Sequence, residues 1–303
     1  MGILGKMISY EELNKYHKYL HSFLKDKKVL IAISGGIDSC VLTHVFHKLK
    51  YDISLAHCNF MLRGKESNKD EIFVKELGER LQVPTYTIRF DTETFASKYG
   101  ISTQMAARDL RYNWFNQLTE ENDIAYILTA HQKDDVIETF LINLTRGTGL
   151  DGLLGIPVLN NNIVRPLLNF SREDIENYAK EQKLEWREDI SNNSTKYLRN
   201  KLRLNIMPQL DKIAHQWRAN VLKLSDDIVT SEKILETHFN DDTVFYDLGS
   251  GIGKIVFEYL AWSGILSEFN VDKNFNFDIA NNRKRKECFI KNTMNKRSCT
   301  IGR

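Results

Sequence analysis

The sequence predicts an α/β protein built on a parallel sheet with helices on both faces. Four short apolar segments, rich in β-branched or aromatic residues and bounded by polar residues, proline or glycine, indicate strands. Each is followed by a segment whose apolar residues recur three and four positions apart, as on an amphipathic helix. Strands that alternate with helices pair in parallel, and ligands bind beyond the carboxyl ends of such strands, so we expect the functional residues there.

The predicted elements alternate along the first half of the chain. The strands are predicted at residues 29–33, 53–57, 85–90 and 125–129, and the helices at residues 39–50, 67–82, 103–119 and 134–145. The string VLIAI at 29–33 is the continuous apolar run typical of a strand buried on both faces. Ser67 followed three positions later by Asp70 resembles a capped helix start. The complete sheet is expected to have five strands.

Length and composition predict one large domain with smaller additions. The chain has 303 residues, of which 42% are hydrophobic and 27% charged, as in ordinary globular proteins. We expect a main domain at residues 1–210, a helical linker at 211–240 and a small α/β segment at 241–303. No apolar run approaches the roughly 20 residues of a membrane span, and no secretory signal pattern is present. The expected location is the cytoplasm, without membrane association.

The cysteines and charges narrow the class further. Cys40, Cys58, Cys288 and Cys299 lie far apart without a C-x-x-C pair, which argues against a zinc knuckle, an iron–sulfur site or a disulfide framework. Residues 196–223 hold seven basic residues against one acidic, and residues 283–303 hold eight against one, although the whole chain is only +2. This segregation favours a polyanionic partner; solvated helix faces and a disordered tail are the alternatives.

The string SGGIDS, which follows the first strand, predicts an anion site. Its residues are Ser34, Gly35, Gly36, Ile37, Asp38 and Ser39. The glycines allow a sharp turn and a close approach of the backbone, and the N–H groups that open the next helix point out of the loop. The lysine of a Walker loop is absent, whereas Asp38 supplies a carboxylate that could hold Mg²⁺ against phosphate oxygens. A plain strand–turn–helix is the alternative.

A second group of polar residues follows the fourth strand. His131, Asp134, Asp135 and Glu138 lie at the start of a predicted helix, and the last two are three apart and so share a face. Two carboxylates on one face attract a cation, which could be Mg²⁺ or the ammonium of an incoming amine, and one could accept a proton. An acidic helix start stabilised by the macrodipole is the alternative.

Several strings together carry a family resemblance. They are SGGIDS at 34–39, AHCNFMLRGKESNKDE at 56–71, QMAARDLRYNWF at 104–115, TAHQKDDVIETFLINLTRGTGLDGL at 129–153, RPLLNFSRED at 165–174 and WREDISNNSTKYLRNKLR at 186–203. The first resembles the pyrophosphate loop of N-type ATP pyrophosphatases. In order and spacing, the set resembles the tRNA(Ile)-lysidine synthetases over residues 27–210, which implies the adenine nucleotide alpha hydrolase-like fold.

The resemblance implies an activity and roles for individual residues. The family uses ATP and Mg²⁺ to adenylate the wobble cytidine of tRNA(Ile) with the anticodon CAU at C2, and the amine of L-lysine then displaces AMP. The resemblance makes residues 34–39 the ATP loop with Asp38 at the metal, His57 and Asn59 neighbours of the adenosine, and Asp135 and Glu138 the lysine site. The implied catalytic residues are Asp38, Arg108, Arg111, His131, Asp135, Glu138 and Arg203.

The resemblance implies further partners and has two departures. Arg146, Lys196, Arg199 and Lys201 are candidates for backbone phosphates of the tRNA, with Tyr197 available for stacking. A homodimer is expected by analogy alone. Family members often carry a second histidine where Gln132 stands and a histidine where Phe60 stands, which questions any role that needs a proton at position 132.

The resemblance ends near residue 210. The string TVFYDLGSGIGK at 243–254 resembles the S-adenosylmethionine loop of class I methyltransferases, with Asp272 placed to bind a ribose. Because too few residues follow for such a sheet, we expect an incomplete, inactive methyltransferase-like segment; cofactor binding without catalysis and coincidence are the alternatives.

Two other functions compete with lysine ligation. A tRNA thiolase shares the loop but commonly needs paired cysteines, which this sequence lacks. A non-catalytic ATP- or RNA-binding fusion product is the third reading, favoured by Gln132 and the unusual C-terminal segment.

Overall fold

The structure is a computed structural model that describes residues 10–188 and 198–238. Its strands are β1 Lys28–Ala32, β2 Asp52–Asn59, β3 Thr85–Arg89, β4 Tyr126–Leu128, β5 Leu159–Asn160 and β6 Ile163–Val164. They form one sheet in the order β3-β2-β1-β4-β6-β5. The pairs from β3 to β6 are parallel, and only β5 is antiparallel. The predicted fold class is therefore confirmed, with a sixth, antiparallel strand in addition to the five expected.

The sixth strand comes from a hairpin that the sequence pattern does not reveal. Strands β5 and β6 have two residues each, which is too short for an alternating pattern. Asn161 makes the turn between them with a positive φ of 54°. Asparagine tolerates this left-handed conformation better than most residues, and it allows the reversal.

Helices surround the strands in chain order. They are α1 Tyr10–Leu24, α2 Ile37–Lys48, α3 Lys65–Leu81, α4 Thr92–Tyr99, α5 Thr103–Glu121, α6 Lys133–Thr145, α7 Leu150–Leu153, α8 Arg172–Glu181, α9 Leu198–Lys201, α10 Met207–Ile213 and α11 Trp217–His238. A π-helical turn, Leu202–Ile206, joins α9 to α10. The helix expected from residue 211 to 238 is broken, because Ala214 is extended at φ −145° and ψ 98°.

The two faces of the sheet bury separate apolar cores. On β1, Val29 and Ile31 pack into the larger core with residues of α1, α2 and α8. Leu30 points to the opposite face and packs with Phe115 and Leu118 of α5. This alternation follows from the period of two along a strand and confirms that helices cover both faces.

The chain divides into two compact units. The first consists of Met1–Arg146 and Leu154–Asp226, and it holds the sheet. The second consists of Gly147–Leu153 and Asp227–Arg303; the structure describes its helix α7 and the last part of α11, to His238. The predicted methyltransferase-like segment, with the expected domain 241–303, lies outside the described residues. Within residues 10–188 and 198–238, no helix has the length and apolarity to cross a membrane.

Candidate active site

The loop between β1 and α2, residues 34–39, has the geometry of an anion site. Gly35 has a φ of +91°, which side chains rarely tolerate, and the backbone turns there. The hydroxyls brace the loop: Gly36 N–H donates to Ser34 Oγ at 3.2 Å and Ser39 Oγ donates to the Gly36 carbonyl at 2.9 Å. No side chain caps α2, so the first N–H groups of this 12-residue helix remain available to an anion. We call residues 34–39 the phosphate loop.

Asp38 lies on the first turn of α2 and faces an arginine from another helix. Arg172 Nη1 is 3.2 Å from both carboxylate oxygens of Asp38. Burial raises the pKa of Asp38, and Arg172 opposes that shift. The described residues contain no group of three or more His, Cys, Asp or Glu side chains that could hold a metal. A cation at Asp38 would therefore share its ligands with phosphate oxygens, as Mg²⁺ commonly does.

A cavity of about 580 Å³ opens in front of the phosphate loop. This volume is in the range of small-molecule sites. Nine of the residues predicted to act in the site line it: Ser34, Gly36, Ile37, Asp38, Ser39, Arg111, His131, Asp135 and Arg203. The fold thus brings the ends of β1 and β4 together with residues of α5 and the π-helical turn, as expected for the carboxyl edge of a parallel sheet.

Behind one wall of the cavity is a group of charges that we call the acid–arginine cluster: Asp135, Glu138, Arg199 and Arg203. Glu138 is fully buried, and Arg203 Nε donates to its Oε1 at 2.6 Å. Arg199 Nε is 3.4 Å from the other oxygen, Oε2, and Arg203 Nη2 is 3.8 Å from Asp135 Oδ1. Burial raises the pKa of Glu138, and the Arg203 hydrogen bond opposes this. Glu138 does not line the cavity, whereas Asp135 and Arg203 do.

His131 and Gln132 separate two roles at the start of α6. His131 lines the cavity, and its Nδ1 is 2.9 Å from Thr129 Oγ1. Burial lowers the pKa of His131 to about 4, although Asp135 acts against the shift, so its imidazole is neutral at physiological pH. Gln132 is buried and caps the helix: Asp134 N–H donates to Oε1, and Gln132 N–H donates to Asp135. The residue at this departure from the family pattern therefore has a structural task.

His57 and Asn59, the predicted neighbours of the adenosine, are buried and do not line the cavity. His57 Nδ1 is 2.9 Å from the carbonyl of Ile33, and its Nε2 is buried without a hydrogen-bond partner. Asn59 Nδ2 donates to Glu71 at 2.9 Å and to Asn68 at 3.1 Å, which fixes the end of β2. The adenosine role of this pair stays a prediction.

The remaining predicted residues fall outside the cavity wall. Arg108 lies over the ring of Tyr112 at 4.9 Å, whereas Arg111, one turn later, lines the cavity and lies 5.2 Å from the Phe60 ring centroid. Arg146 and Lys201 are exposed, and Arg199 donates to Thr139 at 2.9 Å besides approaching Glu138. Lys196 and Tyr197 lie outside the described residues.

Sequence reasoning missed Arg172 and Arg187, which both line the cavity. Arg187 N–H donates to the carbonyl of Gly35 at 2.9 Å, and its guanidinium bonds Asp70 and Glu66. It therefore ties the segment after α8 to the phosphate loop. The strings RPLLNFSRED and WREDISNN contain both arginines, so the resemblance offered a signal that residue chemistry alone did not.

Comparison with known proteins adds a family. The sequence model of the PP-loop domain matches residues 9–210. The tRNA(Ile)-lysidine synthase of Bacteroides thetaiotaomicron is 41% identical over 233 residues, covering 77% of this chain and 52% of that protein. The tRNA(Ile)-lysidine synthase of Porphyromonas gingivalis strain W83 is 46% identical over 204 residues, covering 67% and 45%. The chain spans about half the length of these curated relatives.

A solved structure supports the fold. A U34-tRNA thiolase from Methanococcus maripaludis superposes with a TM-score of 0.57 at 16% identity, covering 82% of this chain and 88% of that one. At this identity the likeness concerns the fold alone.

Proposed function

The chain belongs to the PP-loop family, and on that premise we propose that it ligates L-lysine to C2 of the wobble cytidine of tRNA(Ile) at the expense of ATP. PP-loop membership supports the use of ATP. The tRNA, its CAU anticodon, lysine and Mg²⁺ are the finer parts of the proposal. They are supported by the names of the relatives and by the chemistry of the cavity.

The observation that carries the proposal is the meeting of two different chemistries at one cavity. The phosphate loop offers main-chain N–H donors and the Asp38 carboxylate. The opposite wall offers His131, Asp135 and Arg203. A ligase that first adenylates one substrate and then admits an amine needs an anion site and a site for a cationic amine side by side.

In the first step, the oxygen on C2 of the cytidine attacks the α-phosphorus of ATP, and pyrophosphate leaves. The phosphate loop would hold the β- and γ-phosphates, and Asp38 would hold Mg²⁺, which neutralises the charge that develops on the leaving group. Arg111 and Arg203, both on the cavity wall, can bind the oxygens of the α-phosphate, since an arginine fork suits them.

In the second step, the ε-amine of lysine attacks C2, and the C–O bond to AMP breaks with its electron pair leaving on the phosphate. The ammonium must first lose a proton. Asp135 is the cavity-facing carboxylate that can bind this ammonium, and the neutral imidazole of His131 can accept the proton. Glu138 supports the step from behind, because its buried carboxylate fixes Arg203.

Thiolation is less well supported. Cys58 lines the cavity, but burial raises its pKa to about 12, and Cys40 is buried with its Sγ donating to the Gly35 carbonyl and a pKa of about 12. Both are protonated at neutral pH, so among the described residues neither has the thiolate that sulfur transfer needs.

The test is incorporation of labelled lysine into a tRNA(Ile) transcript with the CAU anticodon, in the presence of ATP and Mg²⁺. We expect incorporation that requires ATP and disappears when the wobble cytidine is replaced by uridine. Asp38→Asn should reduce the rate at least 100-fold. Incorporation by neither transcript, with ATP binding intact, would refute ligation and support a non-catalytic ATP-binding protein.

A further inference from the structure

Arg172 occupies a position that the stability of its own helix does not explain. It is the first residue of α8, next to the N-cap Ser171. A positive charge at a helix N-terminus opposes the macrodipole and is unfavourable. Its ion pair with Glu176, four residues on at 2.7 Å, compensates in part and holds the guanidinium in one orientation.

The packing of α8 along α2 directs this guanidinium at the phosphate loop. His44 Nδ1 lies 3.0 Å from the hydroxyl of Tyr178, and Lys48 donates to Gln182 at 3.0 Å. These contacts set the two helices side by side, so that the first turn of α8 lies beside the first turn of α2. Arg172 and Asp38 therefore meet at the edge of the cavity that both line.

The bond between Arg172 and Asp38 is a weak one. A single nitrogen, Nη1, lies 3.2 Å from both oxygens, whereas strong charge-assisted bonds are about 2.7–2.9 Å. The side chains are 44% and 32% exposed, and pairs so open to solvent contribute little to stability. Nη2 of Arg172 has no partner within the part of the chain that the structure describes.

The other cavity arginines near the loop are held more firmly. Arg187 donates to Asp70 and Glu66, and Arg203 donates to the buried Glu138. A triphosphate carries about four negative charges at neutral pH and needs donors that can turn toward it. Arg172 can do so with little loss, and its departure would free the carboxylate that the metal requires.

We propose that Arg172 is a phosphate-binding residue that holds the Asp38 carboxylate until the nucleotide arrives and then donates to its β- and γ-phosphate oxygens. The inference rests on the proposed use of ATP by this site. It gives α8 a part in binding the nucleotide and the pyrophosphate product, with no covalent step of its own.

The first test compares ligands that contain and lack these phosphates. Binding of ATP, pyrophosphate and AMP to the full chain is measured by calorimetry with Mg²⁺ present. Arg172→Gln should weaken ATP and pyrophosphate about 10- to 100-fold and change AMP less than twofold, and Arg172→Lys should fall between. Arg80→Gln, which breaks the exposed pair with Glu185, is the matched control and should change none of them. Equal weakening of AMP and ATP, or no weakening, would overturn the proposal.

The second test asks whether Arg172 touches phosphate or acts only through Asp38. Pyrophosphate binding without Mg²⁺ is compared between Asp38→Asn and the double variant Asp38→Asn with Arg172→Gln. If Arg172 contacts phosphate, the double variant binds at least tenfold more weakly; equal affinities would overturn direct contact. Neither test uses lysine or tRNA, so a chain that fails to ligate lysine but shows these differences would refute the proposed function and leave the role of Arg172 standing.

Discussion

The phosphate loop and the acid–arginine cluster lie on one cavity but are built in opposite ways. The loop consists of six consecutive residues that bond one another, and its donors are main-chain groups. The cluster joins side chains 65 positions apart, Glu138 and Arg203, around a carboxylate with no exposed surface. The loop therefore depends on backbone conformation, whereas the cluster depends on the balance of buried charges. Substitutions should separate the two.

The largest effect on stability is expected in the cluster. Arg203→Met leaves Glu138 buried with only the 3.4 Å approach of Arg199, and unfolding free energy should fall by about 3 kcal/mol at pH 7.5. The loss should be smaller at pH 5, because burial already raises the pKa of Glu138 and a protonated carboxyl needs no counter-charge. Urea unfolding at both pH values measures this. Arg80→Met, at an exposed pair, should cost less than about 0.5 kcal/mol; equal losses would contradict the comparison.

The next effect belongs to the loop and concerns binding. Gly35→Ala forces a side chain into a φ of +91° with its Cβ 3.4 Å from Phe73, so the loop must change shape. ATP affinity should fall about 100-fold, or about 2.7 kcal/mol, with a small change in Tm. Gly100→Ala is the control, since that glycine also has a positive φ, of +64°, but nothing within 4 Å. Unchanged ATP affinity in Gly35→Ala would contradict the assignment.

A pH dependence should come from His131, between the two regions. Its pKa is about 4 in the folded chain and ordinarily 6.5, so the unfolded chain takes up a proton first as the pH falls. This contribution to stability is complete above about pH 6.5 and is lost toward pH 4, on the order of 2 kcal/mol in total. His131→Asn should therefore flatten the decrease in unfolding free energy between pH 7 and 4.5. An unchanged pH profile would contradict it.

The smallest effect is expected at Gln132. Gln132→Ala removes the side-chain cap of α6 and should cost about 1 kcal/mol, and Gln132→Ser should recover most of this, since serine is a good cap. Gln117→Ala, at an exposed glutamine bonded to Glu121, is the control and should cost less. Urea unfolding measures all three. A loss of activity in Gln132→Ser at unchanged stability would indicate a chemical role at this position.

The same contrast explains what could be predicted from the sequence. The strand–helix alternation and the phosphate loop are local patterns, and both were confirmed in the fold. The contact of Glu138 with Arg203 was not predictable, because spacing within α6 says nothing about which residue arrives from the π-helical turn. Arg172 was missed for the same reason, since its meeting with Asp38 depends on how α8 packs on α2. The break at Ala214 was missed because the apolar pattern continues across it.

The π-helical turn at Leu202–Ile206 has a consequence for how this chain can change in evolution. Met207 N–H bonds the carbonyl of Leu202, five residues back, so the turn holds one residue more than a regular helix would. Deleting one residue would restore regular winding from α9 into α10 and rotate Arg203 away from Glu138 by about a quarter turn relative to the buried Met207. Insertions and deletions in this stretch should therefore be rejected by selection even where they improve the helix.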